Sequence, residues 1–572
     1  MQTLTTGVLV IGSGGAAARA AWEACRAGAE VTLVSKGSFG AIGTRGAGAT
    51  ASGFSASGVF ATPGWSGRLT QIETRVAHMV AAPLERSYFN ILQAGLGMTD
   101  PRLAQILVED AVTSRQSLLD IGATFGEYGL RSHGVPIMAA LISQIRKSDI
   151  KIIERAMVIQ LLTREGECSG AVAIDENTGE PLLIRSAATV LATGGDSNLF
   201  LLNLNPECNT CDGYTLGYNC GAELINLEFK QIFLGTVFPT RNMLTQALPA
   251  YVKMTNVDHQ EFLQDYLPQG VSPEECLAQR NSHNPFSSRD KYSRFADFAI
   301  IGELAANRAT THLGIYLDRS DPRNPPLALP ASEFWAYRGI DFAKPVEIGI
   351  CHHCSLGGLR IDQNAETTVP RLLAAGEVAA GPHGADRMGG HMLLAAQVFG
   401  ARAGKRAAFY TKQGKSFDLD NRQSGPVWEY LDSLRGNRGP NHPAEVKKAL
   451  QKTAYFDLLT LKSQESLTGL INFVHSIKSD IWPKCHAHSP RDLIEVLELH
   501  NLLTLAEIEA AVCLKRQESR GPHYRSDFPV QDDEHWLKSI TVKKRDDRMQ
   551  IDTLTLDPRW QSQGDEKMGY WG

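Results

Sequence analysis

The chain has 572 residues, of which 43% are hydrophobic and 21% charged, with a formal net charge of −5. That length allows two to four domains around a sizeable core, and the composition is that of an ordinary soluble globular protein. The acidic balance argues against a nucleic-acid binder, and no apolar run approaches the length of a membrane span.

The first segment, MQTLTTGVLVIG, lacks a signal peptide's charged opening and runs directly into a strand. The ten cysteines are therefore expected as reduced thiols in a cytoplasmic protein. Residues 7–11, GVLVI, form a short apolar run suited to a buried parallel strand. A glycine turn, Gly12-Ser13-Gly14-Gly15-Ala16-Ala17, opens a helix of small residues, and EVTLV at 30–34 supplies a second strand. Together these predict a βαβ unit for a dinucleotide. Gly12 permits the tight turn, and Gly14 and Gly15 let the backbone approach a pyrophosphate. Ala17 lets the helix pack closely, and the free N–H groups of the helix start face the anion. The second strand ends in Ser35-Lys36 where an acidic residue would usually hold the ribose.

Two later strands end in the same way. AATVLATGG at 187–195 closes on Thr193-Gly194-Gly195, and RLLAAGE at 371–377 closes on Gly376-Glu377, whose carboxylate could take the ribose role. No second strand–GxGxxG–helix unit is present, so one large dinucleotide held as a prosthetic group is expected, and FAD fits best. At 350–358, ICHHCSLGG places two histidines between Cys351 and Cys354. With Cys208 and Cys211 this makes two CxxC pairs, as a zinc or iron–sulfur site requires. The alternative is a catalytic His353 on a backbone that passes close to a flat ring at Gly357-Gly358. No C-x2-C-x2-C cluster motif occurs. Residues 421–445 read as a polar, Gly/Pro-broken linker. RDLIEVLELHNLLTLAEIEAAVCLKRQES carries helix-period apolar residues, and the charged end from 540 reads as a tail.

Several segments in chain order resemble the fumarate reductase/succinate dehydrogenase flavoprotein superfamily, which also contains L-aspartate oxidase and the adenylylsulfate reductase α subunit. They are DGYTLGYNCGAELINLEFKQ (212–231), SSRDKYSR (287–294), HCSLGG (353–358), AAGEVAAGPHGADRMGGHMLLAAQVFGARAG (374–404) and RQESRGPHYRSDFPVQDDEHWLK (516–538). The resemblance implies an α/β fold: a Rossmann-like FAD-binding domain with an inserted α+β capping domain and a C-terminal helical domain. The implied boundaries are 1–235 and 346–420 for the FAD domain, 236–345 for the cap, 421–540 for the helical domain and 541–572 for the tail. It further implies that Asp212, Met392 and Leu393 join Gly12, Gly14, Gly15, Ala17, Ser35, Lys36, Thr193, Gly194, Gly195 and Glu377 at the cofactor.

In that family hydride passes between flavin N5 and the carbon of an unsaturated carboxylate. Arg289 matches the proton-delivering arginine, Arg387 the carboxylate-clamping arginine and His353 the histidine that helps hold the same carboxylate. Three positions depart from the pattern. Phe233 stands where a substrate histidine is expected, the Thr-Glu pair reads Thr245-Gln246, and ALPAYVKMTN replaces a glycine-rich stretch. An unpaired carboxylate beside Phe233 would be costly to bury, so a substrate other than plain fumarate or succinate is expected. The first histidine is His78, so the family's covalent FAD link near GAIGTRGAGATASG cannot form there, and non-covalent FAD is expected. The implied partners are a small unsaturated carboxylate and an iron–sulfur electron-transfer subunit, with no nucleic acid. The alternatives are a succinate- or aspartate-type dehydrogenase, an adenylylsulfate-type reductase, or a flavin electron-transfer subunit.

Overall fold

The computed structural model describes residues 2–40, 59–61, 84–125, 131–244, 251–282, 285–288, 291–327, 335–413 and 424–555. Strand β1 (Gln2–Ile11), helix α1 (Gly15–Arg26) and strand β2 (Val31–Val34) form the expected βαβ unit, with β1 and β2 parallel from Val8 opposite Val31 to Ile11 opposite Val34. All four residues of β2 are buried, which is why the strand is apolar throughout instead of alternating. The sheet continues through β3 (Lys151–Ile153), β4 (Ala156–Arg164), β5 (Glu167–Asp175) and β6 (Pro181–Leu191). Its order is β3-β2-β1-β6-β5-β4, and a short strand, Leu372–Ala374, lies parallel beside β6. β3, β2, β1 and β6 run parallel, whereas β5 and β4 are antiparallel additions.

Helix α2 (His391–Thr411) crosses α1 at very short range. A Cβ on Gly400 would stand 2.9 Å from the Ala16 carbonyl oxygen, and one on Gly404 would stand 2.2 Å from that of Ala20. Glycine on one helix and alanine on the other therefore set the separation, and the second turn of α2 lies beside the start of α1, with Gln397 Nε2 donating to the Gly15 carbonyl at 3.2 Å.

A second sheet is built on β7 (Lys230–Thr236) and β8 (Val346–Ser355), which pair antiparallel. Lys253–Thr255, Ile315–Asp318 and Asn242–Met243 complete five strands. Its register slips between Gln231, opposite Cys354, and Ile232, opposite His352. His353 is the extra residue of this bulge, a device that redirects a side chain off the regular alternation.

Beyond residue 420 the chain is mainly helical, led by α3 (Pro490–Lys515), whose first turn is closed by a reciprocal Ser489–Asp492 capping box. The stretch read as a linker at 421–445 instead contains a helix, Ser424–Leu434, because Val427, Leu431 and Leu434 fall on one face and are buried. The charged end also begins as structure. Lys538–Arg545 and Arg548–Thr555 form a hairpin, and its first strand pairs with Leu224–Ile225. Among the described residues no helix is long and apolar enough to cross a membrane.

Candidate active site

Four parallel strands end at the same edge of the main sheet. Ile11 lies opposite both Val34 and Leu191, and Leu191 lies opposite Ala374. The turns that follow them, Gly12–Gly15, Ser35-Lys36, Thr193–Gly195 and Gly376-Glu377, therefore open onto one crevice at the carboxyl ends of the strands, where such sheets bind ligands. Gly12 has φ +119°, and a Cβ there would lie 2.1 Å from the Ala192 carbonyl oxygen, so only glycine fits. At Gly14, by contrast, a Cβ would meet nothing within 4 Å. That glycine leaves open space at the start of α1, whose first N–H groups have no side-chain cap. Ala17 is fully buried beneath the turn.

The remaining residues expected at the cofactor are distributed around this crevice. Ser35 is fully buried and donates to Ser13 Oγ at 2.8 Å. Lys36 is paired with Asp212 and Glu498, both at 2.7 Å, so Lys36 and Asp212 meet each other and α3. Thr193 Oγ1 is a buried atom with no hydrogen-bond partner. The Glu377 carboxyl packs directly on the glycine turn, where a Cβ on Gly195 would stand 2.2 Å from Oε1. Its Oε1 accepts from the Ser355 N–H at 2.9 Å. Burial, reinforced by Asp196, pushes Glu377 up to about 8. Met392 and Leu393 lie in the first turn of α2, another helix start without a side-chain cap. Open space at Gly14, uncapped helix starts and an unpartnered Thr193 hydroxyl together fit an extended dinucleotide.

The bulge carries His353 toward a second cluster. Its ring meets Phe233 edge-on, with centroids 4.9 Å apart, and its Nδ1 is buried without a partner. Arg387 is 6% exposed; Nη1 donates to the Met388 carbonyl at 2.9 Å, Nη2 donates to Gln231 Oε1, and Nε is buried and unpartnered. Gln231 is the organiser: its Nε2 donates to Asp386 Oδ1 and to the Arg387 carbonyl, both at 2.9 Å. Burial holds His353, His383 and His391 below the ordinary histidine range, and the nearby Arg387 charge adds to this in each case. These three imidazoles are thus neutral at pH 7. The arrangement offers a guanidinium and uncharged ring nitrogens to an anion, in a setting of low dielectric that strengthens each contact.

Gln231, His383 and His391 do not stand out in the sequence, although each lies in a segment that carries the family resemblance. Arg289, Thr245 and Gln246 lie outside the described residues. The segment leading to Arg289 is held by Ser288, whose N–H donates to the Gly521 carbonyl at 2.7 Å. The cysteine pairs are unlinked thiols: Cys211, Cys351 and Cys354 are buried, and Cys208 is partly so. Among the described residues no group of three or more His, Cys, Asp or Glu could hold a metal ion.

A glycine-lined crevice at the strand ends, close to a buried arginine and neutral imidazoles, is the arrangement of a dinucleotide-binding protein. A family model described as FAD binding domain matches residues 87–249 and 302–393, and one described as fumarate reductase flavoprotein C-term matches 447–563. The chain is 30% identical to an uncharacterized FAD-dependent oxidoreductase of Methanocaldococcus jannaschii, covering 94% of this chain and 96% of that one. It is 28% identical to one of the subunits of the fumarate reductase (CoM/CoB) of Methanothermobacter marburgensis, over 94% and 97% of the two chains. The fold matches E. coli quinol fumarate reductase FrdA with a TM-score of 0.78 at 22% identity, over 97% of each chain. The chain belongs to the fumarate reductase/succinate dehydrogenase flavoprotein family and is an FAD-dependent oxidoreductase of the fumarate reductase type.

Proposed function

We propose that the protein reduces a carbon–carbon double bond adjacent to a carboxylate, with a substrate whose far end is apolar or uncharged. The observation that carries this reading is the edge-on packing of Phe233 on His353, a ring that also feels the Arg387 charge. The cluster offers an arginine and an imidazole to a carboxylate, and the aromatic ring beside the imidazole is only 6% exposed. Arg387 would bind the carboxylate through its unpartnered Nε and draw electron density from the double bond. His353 would orient the same group, and Phe233 would exclude water and a second charge. The Gly12–Gly15, Thr193–Gly195 and Gly376-Glu377 turns would hold FAD without a covalent link, and the flavin would supply the hydride. Arg289 delivers the proton to the other carbon, with Asp386 and Gln231 fixing the neighbouring arginine. The electrons come from an iron–sulfur partner subunit.

The test is anaerobic. The flavin is reduced and its absorbance followed while fumarate, acrylate-type monocarboxylates and bulkier aryl-substituted acids are added in turn. Rapid reoxidation by a monocarboxylate, with fumarate slow, is the expected result. Reoxidation by a ferredoxin-like protein or a quinone but by no acid would instead establish an electron-transfer subunit. Precipitation of the protein with acid is expected to leave the yellow colour in solution; colour retained on the pellet would overturn the non-covalent assignment.

Phe233→His is expected to raise kcat/KM for fumarate by roughly 10- to 100-fold, the worth of one added hydrogen bond to a charge. It should lower kcat/KM for the preferred monocarboxylate over the same series. An unchanged ratio between the two substrates would remove Phe233 from the specificity site.

A further inference from the structure

A buried polar chain lies behind the glycine turn and is used by none of the steps above. Asp196 follows Gly195 directly and is fully buried. Its carboxylate accepts from Lys230 Nζ at 2.5 Å and from Ser355 Oγ at 2.5 Å. Lys230 also donates to Ser355 Oγ at 3.0 Å and to Glu509 Oε1 at 2.7 Å. Ser355 then reaches Glu377 through its backbone N–H at 2.9 Å. His352 closes the side of the chain, stacked on Phe200 with Nε2 3.5 Å from Asp196. Lys230, Ser355 and Glu509 are each at most 4% exposed, whereas Glu377 is partly exposed.

The charges in this chain do not balance if every acid is ionised. Among the described residues it holds three carboxyl groups, on Asp196, Glu377 and Glu509, and one ammonium, on Lys230. Even with the Arg387 charge facing Glu377, full ionisation would leave buried negative charge uncompensated, so acids in such a place keep their protons. Lys230 holds Asp196 in its ionised form, well below the carboxylate range. Burial, with Asp196 beside it, drives Glu509 far above that range. Two carboxylic protons are therefore stored at the two ends of this buried cluster, one of them on a residue that touches the cofactor turn.

We propose that Glu377, Ser355, Asp196, Lys230 and Glu509 form a proton store, by which reduction of the bound FAD draws one further proton onto the Glu377 carboxylate. The inference rests on the reading that FAD lies against the Gly194–Gly195 turn. Reduction by two electrons, with one proton taken up by the flavin, adds a net negative charge beside Glu377. That charge raises the proton affinity of a neighbouring carboxyl group. Above the pH at which Glu377 ionises in the oxidised protein, reduction then takes up two electrons and two protons in all, the second proton coming from solvent at the partly exposed Glu377. The groups facing Glu377 are Asp196, Lys230, Arg387, Cys354 and Tyr214, whose hydroxyl donates to the Glu377 carbonyl at 2.9 Å. Asp196 raises its proton affinity, and Lys230 and Arg387 lower it.

The test is the pH dependence of the flavin midpoint potential of the FAD-loaded protein, measured by dye-coupled titration between pH 7 and 10. In the wild type the slope is expected to steepen by one proton per two electrons above about pH 8. Glu377→Gln should abolish the steepening while FAD stays bound. Asp196→Asn removes the charge that holds the proton on Glu377, so it should shift the onset to lower pH. A wild-type slope without the added proton overturns the proposal and leaves FAD binding untouched. The same steepening in Glu377→Gln also overturns it. If Glu377→Gln does not hold FAD, an Asp196→Asn onset that stays in place has the same force. A wild-type protein that binds no FAD would refute the cofactor assignment together with the proposal.

Discussion

Replacing Arg387 by alanine is expected to slow substrate-driven reoxidation of the flavin by roughly 10²- to 10³-fold, the usual effect of deleting one charge-stabilising donor. The guanidinium is nearly buried, already bonded to Gln231 and to the Met388 carbonyl, and has one unpartnered nitrogen left for a ligand. Alanine removes that nitrogen and also takes the guanidinium donor from Gln231 Oε1, so both KM and kcat should worsen. Arg387→Lys would keep the charge but lose the planar fork, and should recover only part of the rate. Because the glycine turns that would hold FAD are untouched by either substitution, both variants should still bind the flavin. Stopped-flow reoxidation of the pre-reduced protein measures the effect, and full rates in Arg387→Ala would remove this residue from the site.

The second large effect is on stability. Lys230→Met is expected to cost about 3–5 kcal/mol, because it leaves buried carboxyl groups without their cation. The loss should show as a lower midpoint in urea unfolding. Most of it should return when Asp196→Asn is added, since the uncompensated charge is then gone; a double-mutant cycle measures that coupling. If the two losses simply add, Lys230 and Asp196 do not act as a pair. The size of the effect follows from where the lysine reaches, since its partners are 34 and 279 residues away in sequence and stand after β6 and on α3.

That distance explains what could and could not be read in advance. The βαβ unit was legible because strand, glycine turn and helix each leave a local signature, and the same holds for the two later glycine turns. Strands β7 and β8, in contrast, gave no hint of their bulge, because a single extra residue in a pairing changes no composition. In the bulged strand His352 lies against Asp196 and Phe200, whereas His353, the extra residue, packs on Phe233. Gln231 stands at the end of LEFKQ but carries no charge, so nothing marked it as the residue that orients an arginine 156 positions away. The Lys230–Asp196–Glu509 chain lay beyond reach for the same reason, since each member alone reads as a surface charge. The helix at 424–434 was missed because Gly425 and Pro426 hid its apolar spacing.

The bulge at His353 also bears on how this region can tolerate change. Adjacent residues on a strand point to opposite faces with a strict period of two, and one added or lost residue inverts the assignment. Removing any single residue between Val346 and His352 would not shorten the strand harmlessly. It would either move His352 and His353 one place along the pairing with β7 or absorb the extra residue of the bulge, and both changes displace the ring that packs on Phe233. Length variation should therefore be confined to the connections on either side of this strand, while side chains along it can still be substituted one at a time.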